Sequence, residues 1–166
     1  INKVPEIVKE YGNEFTVATV GTIKVTPHSV NVIPGTCTFS LEIRDQSAEV
    51  MKLIENHLRQ LLEDICKKYG VTSTFVPTSY HDPAPMSELV RGTIEEAVKE
   101  LGIDYTVIPS GAFHDSLIMT SVFPTGMIFV PSKDGISHSR YEYTAPEDIE
   151  NGCNVLLNTV LKLDEK

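Results

Sequence analysis

Apolar residues recur along this chain at two spacings, and the changes from one to the other mark its elements. Ile1, Val4, Ile7, Val8 and Tyr11 fall near one face of a short amphipathic helix over residues 1–11, closed by Gly12. Phe15 to Val25 is rich in Val, Thr and Ile and predicts a strand. After a polar bend at Pro27 to Ser29 the chain resumes with "VNVIPG". Cys37, Phe39, Leu41 and Ile43 then alternate with polar neighbours, the pattern of a half-buried antiparallel strand. Pro34-Gly35 interrupts that run as a bulge or a bend. From a cap at Ser47, Val50, Met51, Ile54, Leu58, Leu61, Leu62 and Ile65 repeat at helical spacing until Gly70. "VTSTFVPT" predicts a further strand. The order α-β-β-α-β places two helices on one face of an antiparallel sheet, an α+β half.

"SYHDPAPM" reads as a linker, and beyond it the pattern changes. A helix is predicted over Ser87 to Leu101, a short strand over Asp104 to Ile108 and a helix-like segment from Ala112. A buried strand (Met127 to Val130) and a final helix follow. Thr144 and Glu147 have capping-box spacing at the start of that helix, with Pro146 in its first turn. Alternating helix and strand is the mark of a layered α/β domain, but two strands are fewer than a complete sheet needs.

Composition narrows the function classes. The 166 residues suffice for one or two small domains with a real core. A net charge of -9 argues against non-specific nucleic-acid binding and against an acidic membrane surface. No apolar run is long enough to cross a bilayer. The chain opens on Ile1 directly into a helical pattern, which reads as a piece of something longer. Cys37, Cys66 and Cys153 are odd in number, far apart and without CxxC spacing, as expected for reduced thiols in a cytoplasmic protein.

Two of the five histidines stand out. His28 and His81 fall in turns, and His57 reads as a surface imidazole of the long helix. In "PSGAFHDS", His114 and Asp115 follow a Ser-Gly-Ala turn at a predicted helix start, where exposed amides suit an anion or oxyanion. The alternative is a capping turn whose aspartate satisfies helix amides. His138, in "GISHSRYEY", stands at the carboxyl end of an α/β strand, where such sheets place their sites. It is a metal ligand, an acid or base, or a loop residue; a metal needs three or four ligands, and no HxD or HExxH accompanies it. Arg44 offers a planar fork for a carboxylate and Asn31 an amide contact. The alternative for these two is a salt bridge from Arg44 to Glu42 or Asp45 and a turn role for Asn31.

Four stretches in order, "VNVIPG…FSLEIRD", "PSGAFHDS", "PTGMIFVPS" and "GISHSRYEYTAPEDI", resemble the C-terminal half of the N-carbamoyl-L-amino-acid hydrolase and allantoate amidohydrolase family. The resemblance covers nearly the whole chain. It implies a ferredoxin-like lid and dimerisation domain over residues 1–82, lacking its first strand. It also implies the C-terminal portion of an α/β catalytic domain over residues 84–166. Two divalent metals (zinc, manganese or cobalt) are implied for the whole enzyme, with His138 matching the family's C-terminal metal ligand and the general base lying outside this chain. Asn31 and Arg44 match lid residues that hold the substrate's carboxylate. Gly111, Phe113 and His114 match the substrate-contacting turn. Phe113 stands where the family usually has glycine, and Ser116 where it has alanine; the first of these bears on substrate choice. The expected partners are a small carboxylated substrate and a second copy paired through the lid. An aminoacylase or dipeptidase of the same superfamily, and a non-catalytic dimerisation module, remain the alternative readings.

Overall fold

Helix α1 (Val4–Tyr11) and helix α2 (Ala48–Tyr69) cover one face of a β-hairpin in the computed structural model, which describes residues 1–165. Val4, Ile54 and Leu58 are the buried centre of this packing. Around them close Ile7, Val8 and Tyr11 of α1, Val50 of α2, and Ala18, Val20, Leu41 and Ile43 of the hairpin. Burying one such aliphatic side chain is worth about 1.5–3 kcal/mol, so a few positions hold the layer together. His57 is not a free surface imidazole: its ring stacks on Tyr11 at 3.6 Å between centroids. Contacts divide the chain into two compact units, Ile1–Pro83 and a second beginning at Ala84.

The hairpin has an irregularity that the sequence explains. Strand β1 (Val17–Thr19) pairs with β4 (Glu42–Arg44), and β2 (Ile23–Thr26) pairs with β3 (Thr36–Phe39), both antiparallel. Between the pairs Thr19–Glu42 and Ile23–Phe39, three residues (Val20, Gly21, Thr22) face two (Ser40, Leu41). That is a β-bulge. The extra residue leaves a ladder donor to satisfy, and Ser40 Oγ accepts from the Thr22 amide at 3.1 Å. The bulge also keeps the apolar pattern in phase. Ala18 and Val20 are an odd number of residues from Ile23 and Val25, so an unbroken strand would turn the two pairs to opposite faces. With the bulge, both align with Cys37, Phe39, Leu41 and Ile43 across the ribbon.

At the base of the ribbon Asp45 joins three segments. It accepts from the Thr16 hydroxyl, from Asn13 Nδ2 at 3.3 Å and from the Ser47 amide at 2.7 Å. Ser47 in turn caps α2 through the Val50 amide, and Gly70 ends the helix with a left-handed φ of 64°. Asp45 thus fixes where the hairpin stops and α2 starts.

In the second unit, helix α3 (Glu88–Leu101) and helix α5 (Pro146–Asp164) pack side by side, with the short helix α4 (Asp115–Met119) between them in sequence. Buried Thr93 and Ala97 of α3 and Val155 and Thr159 of α5 are small, which permits close approach. Both threonine hydroxyls donate back to their own helix, to Leu89 O at 2.8 Å and Val155 O at 2.7 Å, so neither is buried unsatisfied. The C-terminal turns are joined by Lys162 and Glu100 at 2.6 Å, and this carboxylate raises the lysine's pKa above its ordinary range. Residues 126–130 lie against both helices. A Cβ on Gly126 would stand 2.6 Å from Val90 Cγ1, and one on Gly152 would stand 2.6 Å from Val130 Cγ1.

Several expectations are corrected. Phe15 to Val25 is two short strands separated by the bulge, and "VNVIPG" belongs to the loop joining β2 to β3, with Pro34-Gly35 at its closing bend. The segments 71–78, 104–108 and 127–130 join no β-ladder among the described residues. They carry strand composition, but a strand exists only where a neighbour supplies ladder hydrogen bonds. The second unit therefore consists of helices and extended segments, without the sheet expected of an α/β layer. Residues 71–80 instead run back along α2, with Phe75 3.5 Å from the Arg59 guanidinium and Tyr80 under Lys52. The Thr144–Glu147 capping box does not form either. Ala145 is the cap residue without a side-chain bond, and Pro146 opens the helix. No helix among the described residues is long and apolar enough to cross a membrane.

The Gly126 contact generates a test. Gly126→Ala should lower stability by about 1–3 kcal/mol in urea denaturation, because the new methyl overlaps a stiff valine. Adding Val90→Ala should recover part of that loss; equal losses in the single and double variants would show that the overlap is not the cause.

Candidate substrate- and metal-binding residues

The first unit presents Asn31 and Arg44, and it does not bring them together. Arg44 ends β4 at the base of the ribbon, opposite Val17, whereas Asn31 lies in the loop beyond the last pair, Thr26–Thr36. The levels of Thr36 and Arg44 differ by roughly 25 Å at the usual rise of an extended chain. Asn31 Oδ1 accepts from Ser29 Oγ at 2.9 Å, which leaves the Nδ2 amide as its outward donor. The Arg44 guanidinium pairs with Glu42 at 2.9 Å on the exposed surface. The bridge to Glu42 considered from the sequence is formed; Asp45 accepts from Thr16, Asn13 and Ser47. An exposed pair of this kind is worth at most about 1 kcal/mol.

In the second unit the "PSGAFHDS" turn leads into α4. His114 is the cap residue, extended at φ -129°, and no side chain caps the helix, so Asp115 does not fill the capping role considered for it. His114 Nε2 lies 3.0 Å from Ser110 Oγ, and its ring meets Phe129 edge-on at 5.5 Å. Ser110 Oγ also accepts from the Ala112 amide at 3.3 Å, so this hydroxyl gathers the turn. Gly111 lacks a left-handed φ, and a Cβ built on it meets nothing within 4 Å. Neither backbone conformation nor internal packing therefore requires glycine there. Phe113 is about half exposed, at 53%.

His138 has the most distinctive geometry of the candidate residues. Its φ is 56°, the left-handed region, where a β-carbon costs an L-residue about 1–2 kcal/mol. Asp134 at 57° and Gly135 at 67° share that region just upstream. The loop is closed below by the Lys133 amide on Tyr143 O at 2.8 Å. Within it the His138 amide donates to Glu142 Oε2 at 2.7 Å, and His138 Nδ1 lies 3.2 Å from Ser137 Oγ. One nitrogen of the imidazole is thus engaged. Sequence reasoning missed Glu142. No residue-type signal marks it, because the bond runs from its side chain to the main chain of residue 138.

A divalent ion asks for three or four donors. Among the described residues no group of three or more His, Cys, Asp or Glu side chains converges as a metal site. The residues present therefore do not hold such an ion by themselves, and His138 is at most one ligand of a larger set. Cys37, Cys66 and Cys153 are all free thiols.

A helix-covered hairpin followed by a helical unit with a histidine-bearing loop defines a class of two-unit mixed α and β proteins. The solved structure of AtUAH in complex with (S)-hydroxyglycine shares it, with a TM-score of 0.91 and 33% identity over 99% of this chain and 39% of that one. The chain belongs to Peptidase family M20/M25/M40, whose sequence profile matches residues 7–162. It is 40% identical over 148 residues to an N-carbamoyl-L-amino acid amidohydrolase of Geobacillus stearothermophilus, covering 89% of this chain and 36% of the relative. It is 34% identical to the allantoate amidohydrolase of Bacillus subtilis (strain 168), covering 87% and 35%. The chain thus spans little more than a third of the length of these relatives.

Backbone strain at position 138 is open to direct measurement. Glycine is indifferent to a left-handed φ and alanine is not, so His138→Gly should be more stable than His138→Ala by about 1 kcal/mol. Thermal melts of the two variants check this; an alanine variant as stable as the glycine one would remove the left-handed assignment.

Proposed function

We propose that residues 1–82 are the lid, ferredoxin-like in plan, of a metal-dependent amidohydrolase, and that residues 84–166 are the C-terminal portion of its catalytic domain. The substrates proposed are N-carbamoyl-L-amino acids or allantoate-like compounds, cleaved at the carbamoyl or ureido C–N bond. The single observation that carries the reading is His138: an imidazole on left-handed backbone, anchored on one nitrogen and open on the other. Family membership and the relatives' names support the reaction class. The free thiols are in keeping with a cytoplasmic setting.

Exposed apolar surface supports a larger catalytic body around the second unit. On α5, Leu156, Leu157, Val160 and Leu161 are each more than half exposed, although Val155 and Thr159 beside them are buried. A helix with apolar residues on several faces belongs inside a layered domain rather than on its surface. In such a body, two divalent metals (zinc, manganese or cobalt) would supply the hydrolytic chemistry. This chain contributes one ligand, His138, and the means of holding substrate.

Those means divide by element. Arg44 takes the substrate carboxylate in a forked pair of hydrogen bonds, displacing Glu42. Asn31 donates its Nδ2 amide to the same group. His114 hydrogen-bonds the substrate from the turn, Gly111 lets the substrate approach the backbone, and Phe113 narrows the pocket beside it. Asn31 and Arg44 stand at opposite ends of one ribbon, so both reach a single carboxylate when they come from two copies of the chain. The lid-mediated homodimer thereby becomes part of the binding site.

Subunit mixing tests this. In the longer enzyme, Asn31→Ala and Arg44→Ala should each raise KM for carboxylated substrates at least about 10-fold, the loss of one charge-assisted or amide hydrogen bond. Mixing the two variants should restore the parent KM at roughly a quarter of the sites, because half the random dimers are mixed and each has one intact pair. No recovery on mixing would place both residues in one protomer's site. The 166-residue chain alone should show no metal-dependent hydrolysis of an N-carbamoyl amino acid; a measurable rate would overturn the division of the site.

A further inference from the structure

We propose that Glu142 is a positioning residue for His138, holding its backbone in the left-handed conformation and thereby fixing where the imidazole points. The inference deepens the reading of His138 as a site residue and rests on it in that respect. Three observations carry it. The His138 amide donates to Glu142 Oε2 at 2.7 Å, a short bond to a charged acceptor. His138 has φ 56°, a conformation that the β-carbon of an L-residue disfavours. The turn that returns Glu142 to this position is itself built: the Glu142 amide donates to Ser139 O at 3.0 Å and the Tyr141 amide to Ser139 Oγ at 3.3 Å.

These contacts act together. The amide of residue 138 donates to no backbone carbonyl among the described residues, so its acceptor within the protein comes from a side chain. Glu142 supplies it from within the loop. Ser137 Oγ, 3.2 Å from Nδ1, then limits rotation of the ring and leaves Nε2 as the presented nitrogen. Side chains that set the direction of a ligating or catalytic imidazole usually contact the ring itself. Here one anchor contacts the ring and the other, Glu142, works through the main chain. The carboxylate never needs to approach the reacting atoms.

The test uses the 166-residue chain and two readouts by nuclear magnetic resonance: amide hydrogen exchange at residue 138 and the χ1 couplings of its side chain. Glu142→Ala should speed exchange of the His138 amide roughly 10-fold or more, the loss of one charge-assisted bond, and should average the χ1 couplings. Glu142→Gln keeps the length and an acceptor oxygen, so it should restore a single rotamer and most of the protection. Glu142→Asp, one methylene shorter, should not. Protection of the α5 amides serves as the fold control, and if Glu142→Ala perturbs it, the Gln and Asp pair decides the matter. Unchanged exchange and couplings in Glu142→Ala, or equal behaviour of the Gln and Asp variants, would overturn the proposal. Failure of His138→Ala to affect metal content of the longer enzyme would instead remove the ligand reading and leave the positioning result standing.

Discussion

The first unit depends on one constraint: side chains of a β-ribbon alternate, so an apolar face survives along its length only if spacing and pairing agree. Here they agree through one extra residue. The bulge at Val20–Thr22 brings Ile23 and Val25 into line with Ala18 and Val20, and Ser40 Oγ satisfies the amide that the irregularity exposes. The lower half of that face receives α1 and α2. Without the bulge, the apolar side chains of the lower and upper ribbon would lie on opposite faces. Asp45 completes the arrangement by setting the point at which strand gives way to helix.

The second unit is organised by close helix packing and by a loop that departs from ordinary backbone geometry. Thr93, Ala97 and Thr159 allow α3 and α5 to approach, and Gly126 and Gly152 make room for the extended segment against them. This framework is ordinary. The unusual feature is concentrated between Lys133 and Tyr143, where Asp134 and His138 adopt left-handed backbone and Glu142 accepts from the His138 amide. Strain of this kind persists where surrounding contacts over-determine it, and such places are commonly sites.

Helices were the most legible elements in the sequence, because their signals are local. Ser47, Gly70, Ser87 and Gly102 bound two of them as their residue types imply. Strands were less legible. Whether 71–78, 104–108 or 127–130 pairs depends on a neighbour that local composition does not specify, and none is found among the described residues. The bulge was written in the parity of apolar positions, but a strand read as one continuous run conceals it. Of the candidate site, the residue types were legible and their distances were not. Asn31 and Arg44 are thirteen positions apart in sequence, yet the ribbon carries them to opposite ends. The anchoring of His138 by Glu142 was hidden because it runs from side chain to main chain, leaving no pairing pattern between residue types.

The bulge has a mechanical consequence as well. Below it the ribbon is clamped by two helices; above it Ile23 and Phe39 are substantially exposed, and the ladder is only two strands wide. Were the upper ribbon to pivot, the irregular step at Val20–Thr22 would be its fulcrum. A pivot of about 10° there swings the tip loop, with Asn31, by roughly 3 Å, given the rise of an extended chain. Arg44, below the fulcrum, stays with the helices. Such a pivot would leave Arg44 in place while Asn31 travelled.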